Sequence, residues 1–217
     1  MMAIQRTTPR LRPRGSLLCN GSAYSLSAAS PFNPSTQDFT AALWFLTTSM
    51  AANNNLLAQQ DGGGTGRTWI AATTGLVLES VIGGVAINGS TTLSTNTWYH
   101  ALVTKAGTTV TGYLNGVQEL TATATAESAA GAMVFGAGKT LVSGLVGNGT
   151  LCRIWNRPLS LAEIRGEYRG LGPRAGLVLE YLCGEGGGAK TFDTSSSANP
   201  GTITTATYSN AVPNPVV

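Results

Sequence analysis

The chain has 217 residues, of which 42% are hydrophobic and only 11% are charged. The few charges argue against a coiled coil or helical bundle, which would be rich in Glu, Lys and Leu. The high hydrophobic content and a net charge of only +3 argue against a disordered chain. The length suits one large β-sandwich or barrel.

The basic residues are unevenly distributed along the chain. Four arginines precede Gly15 with no acidic residue among them: Arg6, Arg10, Arg12 and Arg14. Pro9 and Pro13 exclude a regular helix in this segment, so residues 1–15 are predicted to form an extended basic arm. Subtracting the four arginines from 13 Lys and Arg leaves 9 basic residues against 10 acidic ones, so the remaining body is nearly neutral.

Neither a signal peptide nor a transmembrane helix is predicted. Arginines and prolines interrupt residues 1–30, which therefore lack the apolar segment of a signal peptide. No run of about 18 apolar residues occurs that could span a membrane. Cys19, Cys152 and Cys183 are odd in number and far apart in sequence, so we expect reduced, buried thiols.

Short apolar or alternating segments, separated by Gly, Asn, Ser and Thr clusters, predict a succession of β-strands. In chain order, the predicted strands are residues 39–46, 67–72, 75–80, 84–87, 98–104, 109–114, 117–125, 133–135, 151–155, 177–182 and 202–208. Asn115-Gly116 predicts a type I′ hairpin turn, because both positions of that turn need positive φ. The pattern indicates a meander of antiparallel strands.

One helix interrupts this pattern. Ser160 and Glu163 have the Ser-x-x-Glu spacing of a capping box, and Leu159 and Ile164 have the spacing of a hydrophobic staple. The helix is predicted over residues 161–169 and ends before Gly170. A helix this short is not stable alone, so it must dock on the sheets.

Several segments together resemble the laminin-G-like, concanavalin-A-like jelly-roll family. They are WYHALV at 98–103, YLNG at 113–116, RIWNRPLS at 153–160 and the early strand from Asp38 to Trp44. Residues 177–193 are similar to the segment that usually opens such a domain, although here they lie near the end. The resemblance implies an all-β, antiparallel two-sheet jelly roll over residues 16–210, with residues 211–217 as a C-terminal tail. The family includes lectins, hydrolases, adhesion modules and virus structural proteins.

Catalytic and metal chemistry finds little support in the residues. Glycosidases of this fold need two acids on one face of a strand, whereas Glu163 and Glu167 lie on the predicted helix and a turn-forming Gly184 separates Glu180 from Glu185. His100, the single histidine, is expected to be a packed strand residue.

No cofactor or metal is predicted. The three cysteines lack zinc-ligand spacing. Where the resemblance predicts an acidic, calcium-binding pair, this chain has Thr150 and Leu151. Asp61 and Asp193 remain as single potential ligands.

These observations favour a non-enzymatic structural component of a virus (phage) particle, such as a capsid decoration protein. In this hypothesis the protein is located in the virion, and the arginines of the arm bind carboxylates of the major capsid protein, another virion protein or a neighbouring copy. We expect a homo-oligomer, and neither a nucleic acid nor a membrane as partner.

The alternative is a carbohydrate-binding, lectin-like module, including a tail or fibre adhesin. Surface glycans would then bind Trp69 with Asp61 and Arg67, or the Asn53–Asn55 loop. Trp69 could instead pack in the core, as expected of Trp44, Trp98 and Trp155.

Overall fold

A computed structural model of the chain describes residues 13–33, 36–59, 68–82, 85–124, 131–138 and 140–214, without the side chains of Thr68 and Trp69. The strands of the N-terminal half are β1 (Ser16–Asn20), β2 (Tyr24–Ser27), β3 (Phe39–Thr47), β4 (Asn54–Gln59), β5 (Thr68–Ala72), β6 (Leu78–Ile82) and β7 (Val85–Asn88). Those that follow are β8 (Trp98–Ala106), β9 (Thr109–Leu114), β10 (Val117–Thr123), β11 (Met133–Phe135), β12 (Val146–Trp155), β13 (Leu177–Tyr181), β14 (Lys190–Thr191), β15 (Gly201–Thr204) and β16 (Thr207–Ser209). Helix α1 (Leu161–Tyr168) lies between β12 and β13.

The strands form two antiparallel eight-stranded sheets, which confirms the predicted jelly-roll sandwich. The first sheet has the order β10-β9-β8-β3-β12-β1-β16, and β13 also pairs with β12. The second sheet has the order β14-β15-β2-β11-β4-β5-β6-β7. Side chains such as Leu17, Phe39, Phe45 and Phe135 fill the core between the sheets.

The C-terminal segment completes both sheets. Strand β13 pairs with the Cys152–Trp155 end of β12, whereas β1 pairs with the opposite end of the same strand. Strand β15 pairs with β2 in the second sheet, and β16 pairs with β1 in the first, with Ser209 opposite Ser16. Residues 201–209 therefore lie directly beside the first two strands of the chain, whereas the segment at 177–193 pairs with β12 and β15.

Helix α1 covers part of the outer face of the first sheet. Its capping box is present as predicted, because Ser160 accepts from the Glu163 amide while the Glu163 carboxylate accepts from the Ser160 amide. Ile164 packs against Trp155 and Leu102 on that face. The helix ends at Tyr168, one residue before the predicted end. Within the described ranges, no helix is long and apolar enough to span a membrane.

The structure also corrects some of the predicted strands. β1, β2, β4 and β14 were not predicted. The predicted strand at 75–80 begins only at Leu78, because Leu76 has a φ of 60° within a turn. Residues 202–208 form two strands, since Thr205 with a φ of 56° interrupts them. The strand predicted at 151–155 begins at Val146.

The predicted hairpin turn is confirmed. Asn115 and Gly116 have φ values of 51° and 78° and connect β9 to β10. The proposed division into an arm, a domain and a tail stays a prediction, because residues 1–12 and 215–217 lie outside the described residues.

Candidate functional site

The outer face of the first sheet is occupied by a buried ionic network. Nε of Arg153 donates to Oε1 of Glu180 at 2.8 Å, and its Nη1 donates to Oε2 of Glu167 at 2.6 Å. Arg174 binds the other oxygen of Glu180 at 2.5 Å. The side chains of Arg153, Glu167 and Glu180 are all buried. Their ion pairs therefore hold α1 and β13 on the sheet.

Next to this network lies a cluster of three rings. His100 on β8 contacts Trp44 on β3 and Tyr168 on α1, with ring centroids 5.3 Å and 5.9 Å away. His100 is only 1% exposed, and neither of its ring nitrogens has a hydrogen-bond partner. Burial, with a contribution from the Arg153 charge, lowers the pKa of His100 to about 3. The ring is therefore a neutral packing residue.

The tryptophans differ from one another in their packing. Trp44 and Trp155 are buried, but under α1 on the outer side of the first sheet rather than between the sheets. Trp98 lies on the same outer face as His100, two residues earlier on β8, and is half-buried. The expectation that Trp98 packs in the core is therefore wrong.

Among the described residues, no helix covers the outer face of the second sheet. Along β6, Leu78, Ser80 and Ile82 are buried toward the core, so Glu79 points to the opposite side. The register places Glu79 between Ala71 on β5 and Asn88 on β7, and Ala71 lies opposite Asn55 on β4. We call this line of four residues across the sheet the Glu79 row: Asn55, Ala71, Glu79 and Asn88.

The Glu79 row presents a carboxylate beside amides. Glu79 is half-buried and Asn88 is exposed. Burial raises the pKa of Glu79 above its usual value, and no described residue donates a hydrogen bond or a charge to this carboxylate. Asn55 donates through Nδ2 to the carbonyl of Ser143 at 2.6 Å, which fixes the orientation of its amide. Such a row can accept hydrogen bonds from a ligand's hydroxyl groups.

The same outer face continues to the far edge of the sheet. Tyr24 and Leu26 on β2 and Leu141 pack around Ala58 and Val134 at its centre, and all three are partly exposed. Phe192, which follows β14, is 59% exposed because the preceding Thr191 is buried toward the core. The face therefore combines aromatic rings, an apolar centre and a polar row.

The structure leaves most of the predicted site residues untested. Arg6, Arg10 and Arg12 of the arm lie outside the described residues, and so do Asp61 and Arg67. Arg14 is exposed and packs beside Gly184. Trp69 lies within β5, but its side chain is not described.

The three amides of the predicted Asn53–Asn55 loop brace the backbone instead of pointing freely outward. Oδ1 of Asn53 accepts from the amide of Thr74 at 2.9 Å. Asn54 is buried, and its Oδ1 accepts from the amide of Val146 at 2.7 Å. The predicted loop is therefore corrected: Asn54 and Asn55 begin β4, and Asn55 belongs to the Glu79 row.

The described residues give little support for a metal site or for a nucleophilic cysteine. No group of three or more His, Cys, Asp or Glu among them could hold a metal ion. Thr150 donates to the carbonyls of Gly15 and Leu182 and so has a structural role. All three cysteines are free and buried, and burial raises the pKa of Cys19 to about 12.

The sandwich of two antiparallel sheets agrees with the comparison with known families. The chain belongs to the concanavalin A-like lectin/glucanases superfamily, whose family model matches residues 20–165. No curated protein sequence matches the chain.

Among solved structures, the chain is similar to a proposed carbohydrate-binding protein from Bacteroides ovatus (TM-score 0.72, 18% identity, 93% of this chain). The chain spans 62% of that protein's length. It is also similar to a heptameric SAP-like pentraxin from Limulus polyphemus (TM-score 0.50, 14% identity, 77% of this chain and 81% of the pentraxin). A Trypanosoma rangeli sialidase matches over 59% of this chain and 22% of the sialidase (TM-score 0.49, 17% identity). The first two likenesses show the fold.

Proposed function

We propose that the chain is a non-catalytic carbohydrate-binding module and that a glycan binds on the outer face of the second sheet. The observation that carries the proposal is the combination, on a face that no described helix covers, of the Glu79 row with the exposed ring of Phe192. Sugars present apolar C–H faces that pack on aromatic rings, and their hydroxyl groups bond to carboxylates and amides. Membership of a lectin-containing superfamily supports the same function.

The face is long enough for an oligosaccharide. Six strand-to-strand steps separate β14 from β6, which amounts to roughly 29 Å at the usual strand spacing. Phe192 lies near one end of this path, Tyr24 and Leu26 lie along it, and the Glu79 row lies near the other end. Several sugar units could therefore contact the sheet at once.

A binding role rather than a hydrolytic one follows from the acids of this sheet. Glycoside hydrolysis ordinarily needs two carboxyl groups about 5 to 9.5 Å apart. The strands of the second sheet contain one acid, Glu79. One carboxylate can orient a ligand but supplies only half of that catalytic pair.

A role in a virus particle, docked through Arg6, Arg10, Arg12 and Arg14, stays a prediction. A glycan-binding module is compatible with it, because a tail or fibre adhesin also binds glycans. The carbohydrate function has the stronger support, since it draws on described residues and on the superfamily.

The proposal is tested by glycan-array screening of the purified chain, followed by calorimetry on any glycan that binds. Phe192→Ala and Tyr24→Ala should each weaken binding by about two- to tenfold, the amount expected for loss of one aromatic contact. Trp98→Ala is the matched control, because Trp98 is a partly exposed aromatic residue on the first sheet.

Circular dichroism would verify that every variant is folded. A folded wild-type chain that binds no glycan would refute the proposal. So would a loss of binding in Trp98→Ala while the two variants of the second sheet bind normally.

A further inference from the structure

We propose that Glu79 makes this face selective for uncharged glycans over acidic ones. The inference rests on the proposed glycan-binding function and adds to it the charge of the ligand and the residue that selects it.

The position of Glu79 is fixed by two independent sets of contacts. Its neighbours in sequence, Leu78 and Ser80, are buried toward the core, so the glutamate points outward. Backbone pairing on both sides then places it between Ala71 and Asn88. Ala71 is buried, whereas the exposed Asn88 places an amide next to the carboxylate.

The charge of Glu79 is not compensated by the described residues of its sheet. Among the strands of this sheet the only basic residue is Lys190 on β14, roughly 29 Å away across six strand spacings. This separation exceeds the screening length of about 8 Å at physiological ionic strength. Asp61 and Arg67, in the connection between β4 and β5, carry opposite charges and add no net charge.

This arrangement favours ligands that donate hydrogen bonds and carry no negative charge. An ionised carboxylate can only accept, so it pairs with hydroxyl groups of a sugar, and the Asn88 amide can both donate and accept. The partial burial that raises the pKa of Glu79 also strengthens any hydrogen bond made to it. A carboxylate on the ligand, as in a uronic or sialic acid, would instead meet a like charge.

The test compares a neutral oligosaccharide with its sialylated or uronic-acid counterpart, with affinities measured by calorimetry at pH 7.5. The wild type should bind the neutral member at least tenfold more tightly. Glu79→Gln, which keeps the shape but removes the charge, should lose about tenfold for the neutral glycan, the usual range for a hydrogen bond to a charged group. The ratio between the affinities for the neutral and the acidic glycan should decrease in the same variant.

Asp38→Asn is the matched control. Asp38 precedes β3 of the first sheet, where its Oδ1 accepts from the amide of Gly107 at 2.8 Å. The substitution removes one negative charge from the first sheet and not from the Glu79 row, so its affinities should equal those of the wild type.

Acidification gives a second readout. As the pH falls through the raised pKa of Glu79, its charge is lost, so the wild-type affinity for the neutral glycan should decrease on acidification. The affinity of Glu79→Gln should not change over the same titration.

The possible failures are distinguishable. Equal affinities and equal preference in wild type and Glu79→Gln would overturn the role of Glu79 while leaving glycan binding intact. A wild-type preference for the acidic glycan would overturn the charge selection. A folded wild type that binds neither glycan, nor any other on an array, would overturn the proposed function and this inference with it.

Discussion

Acidification from pH 7 to pH 5 should weaken the fold through His100, the single histidine of the chain. In the folded state its pKa is lowered to about 3 from the usual 6.5, first by burial and then by the charge of Arg153. Between these two values the unfolded chain binds a proton that the folded chain does not. Stability therefore falls as the pH drops through 6.5, and the loss is complete only below pH 3.

The magnitude follows from the two pKa values. From pH 7 to pH 5 the free energy of unfolding should decrease by about 2 kcal/mol through this residue alone, and from pH 7 to pH 4 by about 3 kcal/mol. The groups around the ring explain why protonation is not compensated. The ring is buried, Arg153 is positive, and neither ring nitrogen has a hydrogen-bond partner.

The assay is urea unfolding of the wild type and of His100→Leu at both pH values. Leucine has a similar volume and does not titrate, so the variant keeps every other pH-dependent group. The wild type should lose about 2 kcal/mol more than the variant between pH 7 and pH 5. An equal loss in the two proteins would refute the reasoning, because it would show that His100 is protonated in the folded state or already paired.

Two further predictions concern the first sheet. Arg153→Met leaves buried Glu167 without a cation and Glu180 with Arg174 alone, so it should lower the free energy of unfolding by about 3–5 kcal/mol. A urea-measured loss below about 1 kcal/mol would contradict this. The second prediction concerns a circularly permuted chain that is opened between Gly172 and Pro173 and in which a short turn joins Ser209 to Ser16. This chain should fold with the same circular dichroism spectrum as the wild type, because Ser16 and Ser209 are paired neighbours. An unfolded permuted chain would contradict that pairing.

The parts of the fold that the sequence predicts are those with a strong local signal. The capping box of α1 and the Asn115-Gly116 turn each depend on residues within a few positions of one another. In contrast, β1, β2, β4 and β14 are short and contain Ser, Asn and Lys. They become strands because remote segments pair with them, as residues 146–149 do with β1.

The residues of the candidate site could likewise not be identified from local sequence signals alone. Glu79 lies in a predicted strand, yet one acid in an alternating segment has no evident role until its face is known. Only the register with β5 and β7 shows that it points away from the core beside Asn88. The sequence did direct attention to this region, because Trp69 lies in β5 and Asp61 and Arg67 lie in the connection that precedes it.

The late position of the C-terminal segment matters for function as well as for topology. The superfamily match ends at residue 165, so β14, β15 and Phe192 lie beyond it, whereas the Glu79 row lies within it. The proposed glycan-binding face is thus assembled from two distant parts of the chain, joined where β15 pairs with β2. Because no strand of this sheet runs from one end of the face to the other, its two ends can vary independently in sequence. The contributions of Phe192 and Glu79 to the proposed glycan binding can accordingly be tested separately.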